Sequence, residues 1–159
     1  MPDAPMISTA NDLAETYRSQ IEGHDLVLYD GVCALCNGVV QYLLRHDRAD
    51  RFRFIPQQTQ LAEDLIKRFP ADPEPAEGII LVTAALTPRM WVYRRSDAVC
   101  QAFPLLGGSY TVLGRLLKIV PHGLREAVYG LVARFRYRLF GRYDTCPIPS
   151  AEQRSRILG

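Results

Sequence analysis

Apolar residues fall in short runs between residues 25 and 95 and at helical spacing after that. Leu26-Val27-Leu28-Tyr29 is unbroken and predicts a strand buried on both faces, closed by the turn pair Asp30-Gly31. From about Ala34 to His46 the period changes. Cys36, Val39, Val40, Leu43 and Leu44 share one side of a helix, while Asn37, Gln41 and Arg45 face away. Arg51-Phe52-Arg53-Phe54-Ile55 opens with alternation and predicts a second strand that Pro56 ends. Leu61 to Phe69 predicts a helix, and Ala71 to Gly78, with Pro73 and Pro75, a loop. Ile79 to Thr83 is a third strand and Met90-Trp91-Val92-Tyr93 a fourth. The short link at Thr87-Pro88 joins them as an antiparallel hairpin. From Ser96 onward the pattern is helical, broken at Pro104 to Gly108 and at Pro121.

A strand–helix–strand unit, a helix, a hairpin and further helices predict an α/β fold, a four-stranded mixed sheet flanked by helices. Residues 1–24 read as a tail and a short helix, capped by Asn11 or Asp12 and ending near Gly23; the first eight or so residues read as disordered. Residues 25–104 read as the core, and 105–159 as a helical C-terminal extension of the same domain.

Composition narrows the class. The chain has 159 residues, 48% hydrophobic and 23% charged, which excludes a wholly disordered or collagenous protein. A formal net charge of +2 is too weak to imply nucleic acid, and none is expected as a partner. Met1 to Ala10 has no basic region followed by an apolar one. The longest charge-free run, Ala98 to Gly114, is too short to span a bilayer and contains Pro104 and two glycines. These features predict a cytoplasmic protein whose four cysteines are reduced unless they are catalytic or bind metal.

Cys33 and Cys36 form a C-x-x-C pair between the end of a strand and the start of a helix. Free backbone N–H groups and the positive end of the helix dipole favour an anion there, and the thiolate is the nucleophile. Cys33, before the first full turn, reads as exposed and attacking. Cys36, on the side of Val39, Val40 and Leu43, reads as buried and resolving. Asp30 has two readings: acceptor of the Cys36 proton, or cap of the turn. Inert packing and half of a zinc site are the competing readings of the pair. A Cys₄ site usually has a second close pair, whereas Cys100 and Cys146 stand 46 positions apart.

With Asp30, Cys33 and Cys36 in Tyr-Asp-Gly-x-Cys-x-x-Cys-Asn, the chain resembles the DCC family of thiol-disulfide oxidoreductases. The resemblance extends to Trp91 through Ala98, to the stretch from Leu124 through Gly141 and to Cys146-Pro147, covering roughly residues 25 to 150. It implies a thioredoxin-like fold and protein-disulfide reductase chemistry with Cys33 and Cys36 as the redox pair. The substrate would be a protein or small-molecule disulfide, the electron donor is unspecified, and no bound cofactor is needed. Ala76-Glu77-Gly78 stands where thioredoxins carry a cis-proline before the third strand.

Cys146 reads as an idle thiol or as a third one folded back on the pair, and Cys100 as packing; the three histidines carry no ligand spacing. In the last helix Leu124, Val128, Leu131, Val132, Phe135 and Leu139 form an apolar stripe, read as covered core with arginine stems alongside. The opposite face holds Tyr129, Ala133, Tyr137 and Phe140, too apolar for a solvent face, so either the helix is packed on two sides or that face is an interaction surface. Seven basic residues and one acidic, Glu126, lie between Arg115 and Arg142. This supports an alternative function, a non-enzymatic docking module for an anionic membrane surface, a nucleic acid or an acidic partner.

Overall fold

The run after Gly23 becomes strand β1 (Asp25–Tyr29), with all five residues buried. The computed structural model describes residues 15–69, 78–147 and 149–159. The N-terminal tail, its Asn11 or Asp12 cap and the loop up to Glu77 lie outside these. A short helix α1 (Arg18–Ile21) precedes β1, and Gly23 takes a left-handed φ of 78° to turn the chain into the strand.

Helix α2 (Ala34–His46) crosses to β2 (Phe52–Pro56), which pairs parallel with β1. Helix α3 (Gln60–Arg68) follows, capped by the Thr59 side chain, which accepts from the Ala62 amide at 3.3 Å. Strands β3 (Ile80–Thr83) and β4 (Trp91–Arg94) form the expected hairpin. β3 runs antiparallel to β1, so the sheet order is β2-β1-β3-β4. Helices α4 (Arg95–Leu105), α5 (Ser109–Ile119) and α6 (His122–Phe140) follow, separated at the predicted Pro104–Gly108 and Pro121 breaks. The result is the thioredoxin-like α/β arrangement, with six helices among the described residues.

Alternation along β1 divides the interior. Leu26 and Leu28 point to one layer, with Ile55, Leu61, Leu65, Ile80 and Val82. Val27 and Tyr29 point to the other, with Val40 and Leu43 of α2, Phe52, Phe54, Leu81 and Ala98 of α4. Each such fully buried aliphatic side chain stabilises the fold by about 1.5–3 kcal/mol. The outer edge of β2 is covered by the C-terminal segment. The Phe54 amide donates to the Arg156 carbonyl and the Leu158 amide to the Phe54 carbonyl, both at 2.8 Å. Arg156 also pairs with the buried Asp47, which caps the start of β2 by accepting from the Arg51 and Phe52 amides.

The last helix corrects the reading of its faces. α6 has no buried residue, and the apolar stripe points outward, with Leu131 61% and Leu139 69% exposed. The Tyr129 and Tyr137 face packs inward instead. Aromatic hydroxyls and a few charges there find hydrogen-bonding partners on the core: the Ile79 amide donates to the Tyr129 hydroxyl at 3.0 Å, and Glu126 accepts from Arg95 Nε at 2.7 Å and from the Ser96 hydroxyl. Polar anchoring of this kind is invisible to a periodicity of apolar residues.

Candidate active site

The dithiol sits where β1 hands over to α2. Cys33 is the N-cap of α2, in an extended conformation, and its Sγ accepts a hydrogen bond from the Cys36 amide at 3.2 Å. Asn37 Nδ2 ties the loop down by donating to the Gly31 carbonyl at 2.7 Å and the Cys33 carbonyl at 2.9 Å. All four cysteines are free thiols.

Asp30 is buried and accepts four hydrogen bonds. Oδ1 takes the Val32 amide at 3.1 Å and Gln58 Nε2 at 2.8 Å. Oδ2 takes Arg136 Nη2 at 3.3 Å and the Tyr137 hydroxyl. Gln58 closes a second bond by accepting from the Gly31 amide at 2.9 Å. Burial alone would raise the Asp30 carboxyl, but Tyr137, Gln58, the Val32 amide and the Arg136 charge outweigh it and hold it below the ordinary carboxylate range. Burial and the Asp30 carboxylate push the Tyr137 phenol up.

The two thiols differ from expectation in burial. Cys33, read as exposed, is 0% exposed, and Cys36, read as buried, is half-buried. The cause is the chain after α6. The Tyr143 amide donates to the Val32 carbonyl at 2.8 Å, the Ala34 amide to the Gly141 carbonyl at 3.4 Å, and Arg142 bridges antiparallel to Cys33. Residues 141–143 thus form a strap over Cys33. Cys146 folds back with it: a Cβ on Gly31 would lie 2.6 Å from its Sγ, so glycine is required there for space. Burial pushes the Cys36 thiol up to about 12, with Cys33 and the Asp30 charge adding to the rise and Arg136 opposing it. Burial also raises Cys146.

At the neighbouring end of β3, Gly78 has φ +95° and lies against the Tyr129 hydroxyl, which leaves no room for a side chain. Beside the dithiol helix opens an apolar cleft of about 600 Å³, bordered by Ala34, Leu35 and Val39 of α2, Phe103, Leu113 and Phe140. Ala34 and Leu35 are the two residues between the cysteines. Elsewhere, Cys100 is buried and accepts from Arg125 Nη1 at 2.8 Å; among the described residues no three His, Cys, Asp or Glu side chains converge as a metal cluster.

A dithiol at the N-terminus of the helix that follows the central strand of such a sheet defines a thiol-disulfide oxidoreductase. The family model for DCC1-like thiol-disulfide oxidoreductases matches residues 27–142, and the chain belongs to that family. It is similar to the uncharacterized protein YuxK of Bacillus subtilis, 29% identical over 84% of this chain and 93% of that protein. It is also similar to a chloroplastic DCC family protein of Arabidopsis thaliana, 32% identical over 77% of this chain and 69% of that one. No solved structure matches.

Several residues escaped the sequence reading: Gln58, Arg136 and Tyr137 around Asp30, and the Arg95–Ser96–Glu126 anchor. One signal existed. Glu126 is the only acid in a strongly basic helical region, and a lone opposite charge marks a specific partner.

Proposed function

We propose that this chain is a protein-disulfide reductase in which Cys33 attacks and Cys36 resolves. The observation that carries the reading is the Cys36 amide aimed at Cys33 Sγ from the first turn of α2. The Cys33 thiolate attacks one sulfur of a substrate disulfide, forming a mixed disulfide and releasing one substrate thiolate. Cys36 then loses its proton and attacks Cys33 Sγ, closing the pair and releasing the second substrate thiol. Two electrons pass from the dithiol to the substrate, and a dithiol reductant restores the pair.

Two features of the site shape these steps. Cys33 beneath the 141–143 strap meets a protein disulfide only when the strap lifts, while the apolar cleft along Ala34 and Leu35 takes the apolar residues beside the substrate cysteine. Cys36 is a poor nucleophile until deprotonated, since its thiol titrates near 12. Asp30 is the candidate acceptor of that proton. Its four donors make it a weak base, so its first role is to anchor the loop to α6. A reducing compartment such as the cytoplasm suits a reductase, although one relative is chloroplastic.

The test is a glutathione redox titration of the chain, with the state of each cysteine read by alkylation and intact mass, beside turnover of a protein disulfide. Reversible two-electron oxidation confined to Cys33 and Cys36, with turnover abolished by Cys33→Ser, supports the reading. A mixed disulfide trapped on Cys36 in wild type, or turnover that survives Cys33→Ser, removes it.

A further inference from the structure

The outward face of α6 is the largest feature that the redox reading leaves unused. Ten of the thirteen exposed large hydrophobics among the described residues lie on α5 and α6. Along α6, Leu124, Val128, Leu131, Val132 and Leu139 form one exposed row, about 22 Å long at the helical rise. Ile119, at the end of α5, is 75% exposed. Arg134 and Arg138, one turn apart, border the row, and with Arg115 they pair with no carboxylate among the described residues. The only acid between residues 105 and 142, Glu126, is turned inward and held by Arg95 and Ser96. Apolar patches of this extent on a folded chain mark interaction surfaces.

We infer that α6 docks on an anionic lipid surface, lying in its plane with the Leu131–Leu139 row inserted and Arg134 and Arg138 at the headgroups. Charge decides among occupants. Two copies packed row against row about a twofold axis would bring four arginines together with no carboxylate to neutralise them, and an isologous interface must be self-complementary. An anionic bilayer supplies both an apolar interior and negative headgroups, and arginine stems reach from one to the other. No described helix is long and apolar enough to cross a membrane, and docking in the plane needs none.

The test is co-sedimentation of the full chain with phosphatidylcholine vesicles and with vesicles containing one quarter phosphatidylglycerol, at low and high salt. Binding should require phosphatidylglycerol and weaken with salt. The double variant Arg134→Ala/Arg138→Ala should bind about 30-fold more weakly, and Leu131→Ser/Leu139→Ser about tenfold. All four positions are exposed, so circular dichroism and the alkylation rates of Cys33 and Cys36 should match wild type. Absence of vesicle binding overturns the inference, as does binding that either double variant leaves unchanged. So does a solution dimer that Leu131→Ser/Leu139→Ser dissolves.

Discussion

The Tyr137 hydroxyl donates a hydrogen bond to Asp30 Oδ2 across 107 residues of sequence. That bond joins the last helix to the turn that precedes the dithiol. Arg136 reinforces it, and the strap over Cys33 begins four residues later. The redox loop and the C-terminal extension are therefore one mechanical unit, with Asp30 at the joint.

Removing the charge of Asp30 tests the joint. The carboxyl is held below its ordinary range in the folded chain, so its stabilisation is complete above the unfolded value of about 4 and drains away as pH falls through the lower folded value. Asp30→Asn should cost about 2 kcal/mol at neutral pH and much less in acid. Urea unfolding at both pH values measures the difference. An equal loss at both would assign the effect to shape and not to charge.

Cys36 offers a second measurement. With its thiol near 12, alkylation of Cys36 should be slow at pH 7 and rise about tenfold per pH unit toward 11. Arg136→Ala removes the cation that lowers it, so the curve should move to higher pH. Asp30→Asn removes the anion that raises it, so the curve should move to lower pH. Opposite movements, followed by mass spectrometry of the modified thiol, would show that these two charges trim in opposite directions a rise set chiefly by burial.

Gly31→Ala probes the strap. The added methyl would meet Cys146 Sγ at 2.6 Å, Gln58 Oε1 at 2.9 Å and Pro56 Cβ at 3.1 Å. Cys146 belongs to the 141–147 segment that carries the strap, so a displaced Sγ should move the strap with it. Alkylation of Cys33 should then quicken about tenfold or more, at a cost of about 1–3 kcal/mol in stability. An unchanged rate would mean that the strap does not limit access to Cys33.

The fold was largely legible because its signals are local: unbroken apolar runs for β1 and β3, a clear change of period at α2, prolines and glycines at each break. The Cys33–Cys36 pair was legible for the same reason. Burial of Cys33 was not, since residues 141–143 reach it from more than a hundred positions away. Packing of the Tyr129 and Tyr137 face was one of the two readings its apolar character allowed; exposure of the Leu124–Leu139 stripe was not legible, because Tyr129, Tyr137 and Glu126 hold α6 by hydrogen bonds, which no hydropathy pattern encodes.

Glu126 is the other fixed point of α6. Burial would raise its carboxyl, but Ser96 and Arg95 hold it low. Glu126→Ala should remove the carboxylate that Arg95 and Ser96 share and loosen α6 from the core. We expect a loss of about 2 kcal/mol and faster hydrogen exchange at the Ile79 amide, which donates to Tyr129. Protection at Ile79 that survives the change would show that Tyr129 holds the helix unaided.

The pairing of Phe54 with Arg156 and Leu158 bears on how much chain is needed. The stretch that the family model matches stops at residue 142, yet the strand at the sheet's margin is finished by residues fourteen to sixteen positions further on. A fragment trimmed to the recognisable stretch would present the open amides and carbonyls of β2 to its neighbours, an invitation to strand addition between molecules. The unit that the family model matches is thus shorter than the unit whose sheet edge is covered.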